Sequence, residues 1–437
     1  MPHKPLALLL LFSIFTPSVQ AAPFKLLAIG DSLTEEYIFE FPFSAPDSDP
    51  TVANTRNWVE LLHSRRPSLF SMGAYKPDLG SYLDYRDAGY EYNYGIPTAT
   101  TRKWEDILYP EDFNILDFNT RSELKGDLGV PAAVLVFLGG NDLKSNYSGT
   151  YNDPAPPAFL AQIAPRLARI HAFVRQHAPA NLPIIIATLP DISATPDIRL
   201  KPSYSDPARQ AVARQRIADV NASVIAMASS LPHTYIARID RLSDRIFDQN
   251  PVHLNGTTFT YYQLPEGNEN PPLHLFCKDG FHPGTAAQAL IANEILNAIN
   301  QFASTPIPLF SNREILAEIL LQNPDQPYLD WANGAGSQNE NPDDDPLPNL
   351  VEYLLDTNPL TPNPALSYLP DGSASYKPSP IALRYANLII RESETLTNDW
   401  QTVVQSRIQT LPDSTIKVMP SPTAKKLFYQ LQATPNP

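Results

Sequence analysis

The chain has 437 residues, 43% of them hydrophobic, and a formal net charge of −14. The length predicts two domains, and the composition is typical of a water-soluble globular protein. An acidic surface without a cluster of lysine or arginine repels phosphate groups, so nucleic acids and anionic membranes are excluded as expected partners.

The first 21 residues have the pattern of a secretory signal peptide. His3 and Lys4 precede an apolar run over residues 6–15, and residues 19–21 form a cleavage site. The run is too short to span a bilayer, and no later segment is long enough to be a transmembrane anchor. The single cysteine, Cys277, excludes an intramolecular disulfide and is expected to be a packed thiol. We therefore predict a secreted or periplasmic bacterial protein.

The first apolar run after this signal, residues 24–29, predicts a buried strand that ends at Gly30-Asp31-Ser32. Open α/β sheets place their ligands at the carboxyl ends of strands, so this position suits a nucleophilic serine. A serine hydroxyl needs a nearby base to become a good nucleophile. The alternative is an ordinary turn, because these three residue types are common in turns.

The stretch after Ser32 is rich in proline and carries Phe39, Phe41 and Phe43. This insertion has two interpretations: it forms a wall of an acyl or sugar pocket, or it packs over the edge of the sheet. Trp58 follows, with leucines at helical spacing, and is expected in the core.

Further apolar runs predict strands at residues 133–138, 183–188 and 234–239. Apolar residues at three- and four-residue spacing predict helices over residues 159–174 and 290–299. Strands separated by helices imply right-handed crossovers and a parallel sheet that is covered on both faces. The predicted fold class is therefore α/β, with three α/β/α layers, and residues 191–196 should emerge at the same edge as Ser32.

Three polar stretches accompany these elements. Gly95 stands in a predicted loop over residues 93–98, Gly-Gly-Asn-Asp occupies residues 139–142 after a strand, and Asp279 and His282 precede a helix. With Ser32 in front, the series resembles the SGNH (GDSL-type) hydrolase family, whose blocks are a Gly-Asp-Ser serine, a glycine, a Gly-x-Asn-Asp and an Asp-x-x-His. The resemblance covers residues 22–303, which we interpret as the catalytic domain.

This resemblance implies a three-layer α/β/α hydrolase fold and a serine mechanism without a cofactor. It implies that Ser32 is the nucleophile, His282 its general base and Asp279 the residue that orients the imidazole. It also implies that the backbone N–H groups of Ser32 and Gly95 and the side-chain amide of Asn141 donate hydrogen bonds to the oxyanion. The other histidines lack metal-ligand spacing, so no catalytic metal is expected.

The character of the sequence changes after about residue 303. Residues 304–338 read as a helix, over 311–322, and a polar linker. Residues 339–360 contain an acidic loop and a helix. Residues 361–437 alternate apolar and polar positions in short runs, which predicts a small all-β, sandwich-like domain. Its expected role is contact with carbohydrate or a cell surface, or sorting; the sequence does not choose among these.

The acidic loop has the ligand spacing of an EF-hand calcium loop, and it resembles a D-x-D-x-D-G-L-x-N-L-x-E segment of many secreted bacterial enzymes. Pro346 stands where that segment has glycine, and proline cannot adopt a left-handed turn. Two interpretations therefore stay open: a structural calcium site, or an acidic cap for the helix that follows. The candidate calcium ligands are Asn341, Asp343, Asp345, Asn349 and Glu352.

The function predicted from these patterns is a secreted serine esterase that hydrolyses acyl esters through an acyl-enzyme. Acetyl or another short acyl chain on a carbohydrate is the favoured substrate, because the sequence shows no apolar lid. The alternatives are a lysophospholipase or lipase, a thioesterase, and a carbohydrate- or surface-binding protein on a silent hydrolase fold. Retention of Ser32, Asn141, Asp279 and His282 together argues against the last of these.

Overall fold

The computed structural model describes residues 22–37, 55–78, 80–86, 88–248, 252–261, 270–364, 366–396, 399–422 and 426–436. The predicted signal peptide and the insertion with Phe39, Phe41 and Phe43 lie outside the described residues. Among the described residues, no helix is both long enough and apolar enough to cross a membrane.

The N-terminal part of the chain alternates strands and helices. Its strands are β1 (Phe24–Gly30), β2 (Phe70–Ser71), β3 (Tyr75–Lys76), β4 (Gly89–Tyr90), β5 (Asn93–Gly95), β6 (Ala133–Phe137), β7 (Ile184–Ala187), β8 (Thr234–Ala237), β9 (Val252–Leu254) and β10 (Thr257–Phe259). Its helices are α1 (Trp58–Arg65), α2 (Thr101–Leu108), α3 (Ile115–Asp127), α4 (Gly140–Ser145), α5 (Tyr147–Asn152), α6 (Leu160–His177), α7 (Pro196–Arg199), α8 (Pro207–Ser229), α9 (Asp240–Asp248) and α10 (Thr285–Ile299).

The central sheet is parallel, in the order β2-β1-β6-β7-β8, and β5 also pairs with β1. Strand β1 pairs with β6 from Leu26 opposite Ala133 to Gly30 opposite Phe137. Strands β2 and β5 lie on the other side of β1. The chain thus leaves β1 toward one side and returns to form β6 on the other. Such a reversal opens a crevice at the carboxyl ends of the two strands, which is where α/β sheets bind ligands.

Helices cover this sheet and bury its apolar residues. Helix α1 packs against α10, while α6 packs against both α2 and α8. Every residue of β6 and β7 is buried, and Trp58 and Trp104 are completely buried. A strand covered on both faces reads as a continuous apolar run, which is why these strands were predictable.

The structure confirms the α/β fold class, the strands predicted at 24–29, 133–138, 183–188 and 234–239, and the two predicted helices. The prediction of a loop at residues 93–98 was wrong in part, because Asn93–Gly95 forms β5. A strand of three residues is too short to show an alternating pattern, and its pairing with β1 is a long-range contact.

The C-terminal part begins with short helices and continues with strands. Helix α11 (Asn312–Glu314) runs into a π-helical turn at Ile315–Ile319, and α12 (Gln326–Ala332) and α13 (Asn349–Leu355) follow. The strands are β11 (Ser367–Tyr368), β12 (Ala374–Tyr376), β13 (Ala386–Ser393), β14 (Gln401–Thr402), β15 (Ile408–Thr410), β16 (Ile416–Val418) and β17 (Phe428–Pro435).

These strands form two small antiparallel sheets, in the orders β11-β12-β16-β15 and β14-β13-β17. Both sheets contribute to one apolar core, in which Val418 of the first and Leu431 of the second are buried with Val351 of α13. Helix α13 also contributes Leu354 to a neighbouring aromatic cluster around Tyr385. Helix α13 therefore contributes to both small cores, as does β13 through Ala386 and Ile390.

Candidate active site

Ser32 lies in a tight turn directly after β1. The N–H groups of Thr34 and Glu35 donate to the carbonyl of Asp31, at 2.9 and 3.0 Å. A Cβ atom on Gly30 would lie 2.3 Å from Thr34 Oγ1, so a side chain at this position would clash with Thr34 in the turn. The turn places Ser32, which is 6% exposed, at the carboxyl end of β1.

Asp279 and His282 lie on the loop that precedes α10. Gly280 takes a φ of 70°, and Asp279 Oδ1 accepts hydrogen bonds from the N–H groups of Phe281 and His282, both at 3.0 Å. The chain therefore folds back on the aspartate. This reversal brings two side chains that are only three residues apart into contact.

The three side chains form one hydrogen-bonded series. Ser32 Oγ lies 2.8 Å from His282 Nε2, and His282 Nδ1 lies 2.6 Å from Asp279 Oδ2. Burial acts to raise the pKa of Asp279, but the hydrogen bond and charge of His282 and the two backbone N–H groups outweigh it, so this pKa lies below its ordinary value. Asp279 therefore stays ionised and can hold the Nδ1–H tautomer, which leaves Nε2 free to accept the serine proton.

Gly95 ends β5, opposite Gly30 on β1. A Cβ atom at this position would lie 2.4 Å from the backbone nitrogen of Glu35 and 2.9 Å from the carbonyl carbon of Thr34. These are backbone atoms of the turn that carries Ser32, and they cannot move aside as a flexible side chain would. Glycine is therefore required here for the close approach of the two chain segments.

Asn141 lies in the first turn of α4, directly after β6. Its Nδ2 donates to Asp31 Oδ2 at 3.3 Å and to the carbonyl of Ala99 at 3.2 Å. Both hydrogen bonds are long, and one goes to the residue next to Ser32. The amide thus lies at the crevice between β1 and β6, and one of its partners, the carbonyl of Ala99, is a neutral acceptor that a negatively charged oxygen could replace.

Asp142, the next residue, fixes the position of this helix. Its carboxylate accepts from Thr101 N at 2.8 Å and from Thr101 Oγ1 at 2.6 Å. These bonds tie the start of α2 to the start of α4. Trp104 on α2 in turn donates from Nε1 to the carbonyl of Gly30, at 2.9 Å. The three segments that carry Ser32, Ala99 and Asn141 are therefore linked by buried hydrogen bonds.

Sequence reasoning missed two asparagines that hold the Ser32 turn. Asn93 Nδ2 donates to the carbonyl of Thr34 at 2.8 Å, and Asn57 Nδ2 donates to the carbonyl of Glu35 at 2.6 Å. Asn57 also caps α1 in a capping box with Glu60. The Asn-x-x-Glu spacing of that box is visible in the sequence, but nothing in the sequence signals the contacts to the turn.

Aromatic and cationic side chains surround His282. The rings of Tyr37 and Phe281 meet the imidazole edge-on, with centroids 6.2 and 5.2 Å away. Lys144 Nζ lies 3.6 Å from the centre of the Phe281 ring. Tyr37 is fully buried, and its hydroxyl donates to the carbonyl of Pro283 at 3.1 Å. His282 is therefore packed against aromatic rings, and a lysine ammonium lies over one of them.

Two other predicted features near the site are structural. Residues 192–195 are buried, and the N–H of Asp197 donates to the carbonyl of Gly280 at 2.9 Å, so this segment supports the loop of Asp279 and His282. Cys277 is completely buried, and burial raises the pKa of its thiol well above the ordinary value. A protonated, buried thiol fits the predicted packing role.

The predicted metal ligands belong to the C-terminal part of the chain and not to the elements that carry Ser32, Asp279 and His282. Asp343, Asp345 and Glu352 bring one carboxylate oxygen each within 4.8 Å of the others. The amide of Asn341 donates to the carbonyl of Asp345. Asn349 is fully buried, and its amide donates to the carbonyls of Ala335 and Ser337, both at 3.0 Å, so it ties α13 to the preceding linker.

The sequence was compared with known proteins. Residues 26–295 match the family model of the GDSL-like lipase/acylhydrolases. The search of curated proteins gave no match.

Similar solved structures include an alpha/beta hydrolase from the metagenome of Lake Arreo, Spain (16% identity, 65% of this chain and 98% of that one, TM-score 0.35). They also include a Clostridium thermocellum family 3 carbohydrate esterase (14%, 63% and 94%, TM-score 0.31). A third is an extracellular lipase from Streptomyces rimosus (13%, 64% and 100%, TM-score 0.35).

Proposed function

The chain belongs to the GDSL-like lipase/acylhydrolase family and is a carboxylic ester hydrolase, and from this premise we propose that it cleaves short acyl esters through an acyl-enzyme on Ser32. The observation that carries the proposal is the hydrogen-bonded series from Ser32 Oγ through His282 to Asp279, with distances of 2.8 and 2.6 Å. A nucleophile, a base and an orienting carboxylate in contact are what acyl transfer by serine requires.

In the acylation step, Ser32 Oγ attacks the ester carbonyl carbon while His282 Nε2 accepts the serine proton. The carbonyl oxygen becomes an oxyanion, and the imidazolium is stabilised by the ionised Asp279. Collapse of the tetrahedral intermediate breaks the bond to the alcohol oxygen, and His282 returns its proton to that oxygen. In the second half, His282 accepts a proton from water as the water oxygen attacks the acyl-enzyme carbonyl. Collapse of this second tetrahedral intermediate breaks the bond to Ser32 Oγ, His282 returns the proton to Oγ, and the carboxylic acid leaves.

The oxyanion is proposed to accept hydrogen bonds from the N–H of Ser32, the N–H of Gly95 and the Nδ2 of Asn141. The long contact of Asn141 Nδ2 to the carbonyl of Ala99 supports this role, because a charged oxygen is a better acceptor than the neutral carbonyl it would displace. Donors aimed where charge develops stabilise the transition state more than the ground state.

The proposed substrate is an acetyl or other short acyl ester on a carbohydrate. The cationic Lys144 beside Phe281, next to the catalytic base, suits a polar substrate better than a long alkyl chain, because a charged group loses its hydration against hydrocarbon. The predicted signal peptide supports a secreted or periplasmic enzyme of a bacterium, where polysaccharides are available. The C-terminal sheets, with the exposed Tyr368, are proposed to contact carbohydrate or a cell surface.

A panel of p-nitrophenyl esters of rising acyl length, assayed beside acetylated polysaccharides, tests this proposal. We expect kcat/KM to be highest for the acetyl ester and acetate to be released from the polysaccharides. A preference for long acyl chains, with no acetate released, would instead point to a lipase or lysophospholipase. A thioester preferred over the matching oxygen ester would point to a thioesterase.

A further inference from the structure

The acidic loop before α13 contains side-chain oxygens without partners. Glu352 is 0% exposed, and its Oε2 has no hydrogen-bond partner among the described residues. The same holds for the buried Asp343 Oδ2 and Asn341 Oδ1. Among the described residues, the other oxygen of Glu352 accepts two long hydrogen bonds, from Thr357 and Asn363, at 3.3 Å each. A buried carboxylate oxygen without a donor is costly unless a ligand satisfies it.

The loop reaches this arrangement although Pro346 occupies the position where glycine was expected. The left-handed residue is Asp344, with a φ of 60°, two positions earlier. Aspartate tolerates this conformation better than most residues. Asp345 Oδ1 then accepts from the N–H of Leu347 at 2.6 Å, which closes the turn around the proline. The missing glycine therefore moves the turn without removing it.

The alternative role, an acidic helix cap, does not explain these contacts. Helix α13 begins after Pro348, and no side chain caps its first turn by a hydrogen bond. In the described part of the chain, no lysine or arginine forms an ion pair with Asp343, Asp345 or Glu352. The three carboxylates thus face one another without a protein cation, and such a cluster is destabilising by itself.

We propose that Asp343, Asp345 and Glu352, with the side-chain oxygen of Asn341, bind a calcium ion. Carboxylate and amide oxygens are ligands for hard cations. Calcium binds oxygen at about 2.3–2.6 Å, so ligands on opposite sides of the ion are separated by roughly 5 Å. The carboxylate oxygens here lie within 4.8 Å of one another, which matches that span. Magnesium requires shorter bonds and a stricter octahedral arrangement, so it should bind more weakly.

The position of the site gives the ion a structural role. Glu352 is on α13, which packs into both cores of the C-terminal part. Asn363, beyond the helix, donates its N–H to Asp345 Oδ2 at 2.7 Å and its amide to Glu352. The ion would therefore hold together the acidic loop, α13 and the segment around Asn363 that leads to the β-sheets. This inference does not depend on the proposed esterase activity.

Calorimetric titration of the full chain, first stripped with a chelator, tests the proposal directly. We expect heat of binding for about one calcium ion per chain, and a melting temperature that rises on the order of 3 °C in millimolar calcium. Magnesium at the same concentration should give a smaller shift. No heat of binding and an unchanged melting temperature would overturn the proposal, whatever the variants do.

Substitutions then locate the ion. Asp343→Asn and Glu352→Gln should each abolish the calcium-induced shift, whereas the control Asp344→Asn, in the same loop but exposed, should keep it. In chelator, Glu352→Gln should melt no lower than the unsubstituted protein, because the substitution removes a buried charge and its repulsion. Calcium shifts that persist in Asp343→Asn and Glu352→Gln would place the ion elsewhere and refute the assignment.

Discussion

The two polar clusters of this protein, the Ser32 site and the acidic loop, both hold partly or fully buried carboxylates, but with opposite electrostatics. Asp279 accepts three hydrogen bonds, from His282 Nδ1 and two backbone N–H groups, and its pKa lies below the ordinary value. Glu352 is buried against Asp343 and Asp345, and burial, followed by the charges of these two residues, raises its pKa to about 7. The carboxylate of the first cluster is satisfied by groups of the chain itself, whereas the second cluster is the one we propose to bind a cation.

This difference separates a catalytic site from a binding site. The donors around Asp279 are fixed by the backbone of its own loop, so the charge is stabilised before any substrate arrives, and no reorganisation is needed during the reaction. The loop carboxylates are positioned by the Asp344 turn and α13, but Asp343 Oδ2 and Glu352 Oε2 are buried without a hydrogen-bond donor among the described residues, which favours a positive ion there. Substitutions at the two clusters should therefore affect different measurements.

The largest expected effect comes from Ser32→Ala. Without the hydroxyl there is no acyl-enzyme, so kcat for p-nitrophenyl acetate should fall by a factor of about 10⁴ or more. The melting temperature and its response to calcium should stay near those of the unsubstituted protein. Undiminished turnover would remove Ser32 from the mechanism. If the calcium-induced rise in melting temperature disappeared in Ser32→Ala, the two clusters would be coupled and could not be treated as independent sites.

Asp279→Asn tests the role of the single carboxylate that contacts His282. The amide cannot hold the Nδ1–H tautomer of His282, so kcat should fall by a factor of about 10⁴. The control is Asp344→Asn, the same chemical change at an exposed position of the acidic loop, for which kcat should not change. If Asp279→Asn retained most of the activity, the contact of 2.6 Å to His282 would be structural, and another group would have to orient the imidazole.

The sequence was sufficient for the elements that form by local pattern. The apolar runs of β1, β6 and β7 are continuous because these strands are buried on both faces. The ends of parallel strands meet at one edge of a sheet, which is why Ser32, Gly95 and Asn141, at the ends of β1, β5 and β6, could be expected to lie close together. Asp279 and His282 precede α10 and could be named only from the family resemblance. Prediction and structure therefore agree best for the strands that combine a continuous apolar run with a motif at their carboxyl end.

The hydrogen bonds that support the Ser32 turn could not be predicted from local sequence patterns. Asn57 and Asn93 bond to Thr34 and Glu35 across tens of residues, and such pairs depend on how the helices and strands pack. The turn at Asp344 was missed for another reason. EF-hand calcium loops place a glycine at the position of Pro346, and proline cannot adopt the left-handed conformation needed there. In this chain the left-handed residue is Asp344, two residues earlier.

A smaller effect is expected from Asn141→Ala. If Nδ2 donates to the oxyanion, kcat should fall by a factor on the order of 10² to 10³, with little change in KM, because that bond strengthens as charge develops. The control is Asn152→Ala, an exposed asparagine on α5 whose amide donates to Ser148 Oγ and accepts from Arg209, away from Ser32. A rise in KM with kcat intact would make Asn141 a ground-state contact and contradict the oxyanion role.

The smallest expected effect is a pH dependence of stability in the hydrolase part. Burial lowers the pKa of His63 to about 4, and its Nε2 accepts from the N–H of Met72 at 3.0 Å while its ring stacks on Tyr90. The folded protein thus keeps this histidine neutral, whereas the unfolded chain binds a proton below its reference value of about 6.5. Because the unfolded state binds more protons in this window, stability should fall as the pH drops from about 6.5 toward 4.

For one such group, the free energy of unfolding should decrease by about 2 kcal/mol between pH 7 and pH 5. His63→Gln, whose side-chain oxygen can still accept from Met72, should lose that part of the pH dependence, as chemical denaturation at the two pH values would show. His171, whose pKa burial also lowers to about 4, remains in the variant, so some acid sensitivity should persist. If the variant lost as much stability as the unsubstituted protein between pH 7 and pH 5, His63 would titrate freely in the fold. The loss of stability between pH 7 and pH 5 would then have to come from titratable groups other than His63.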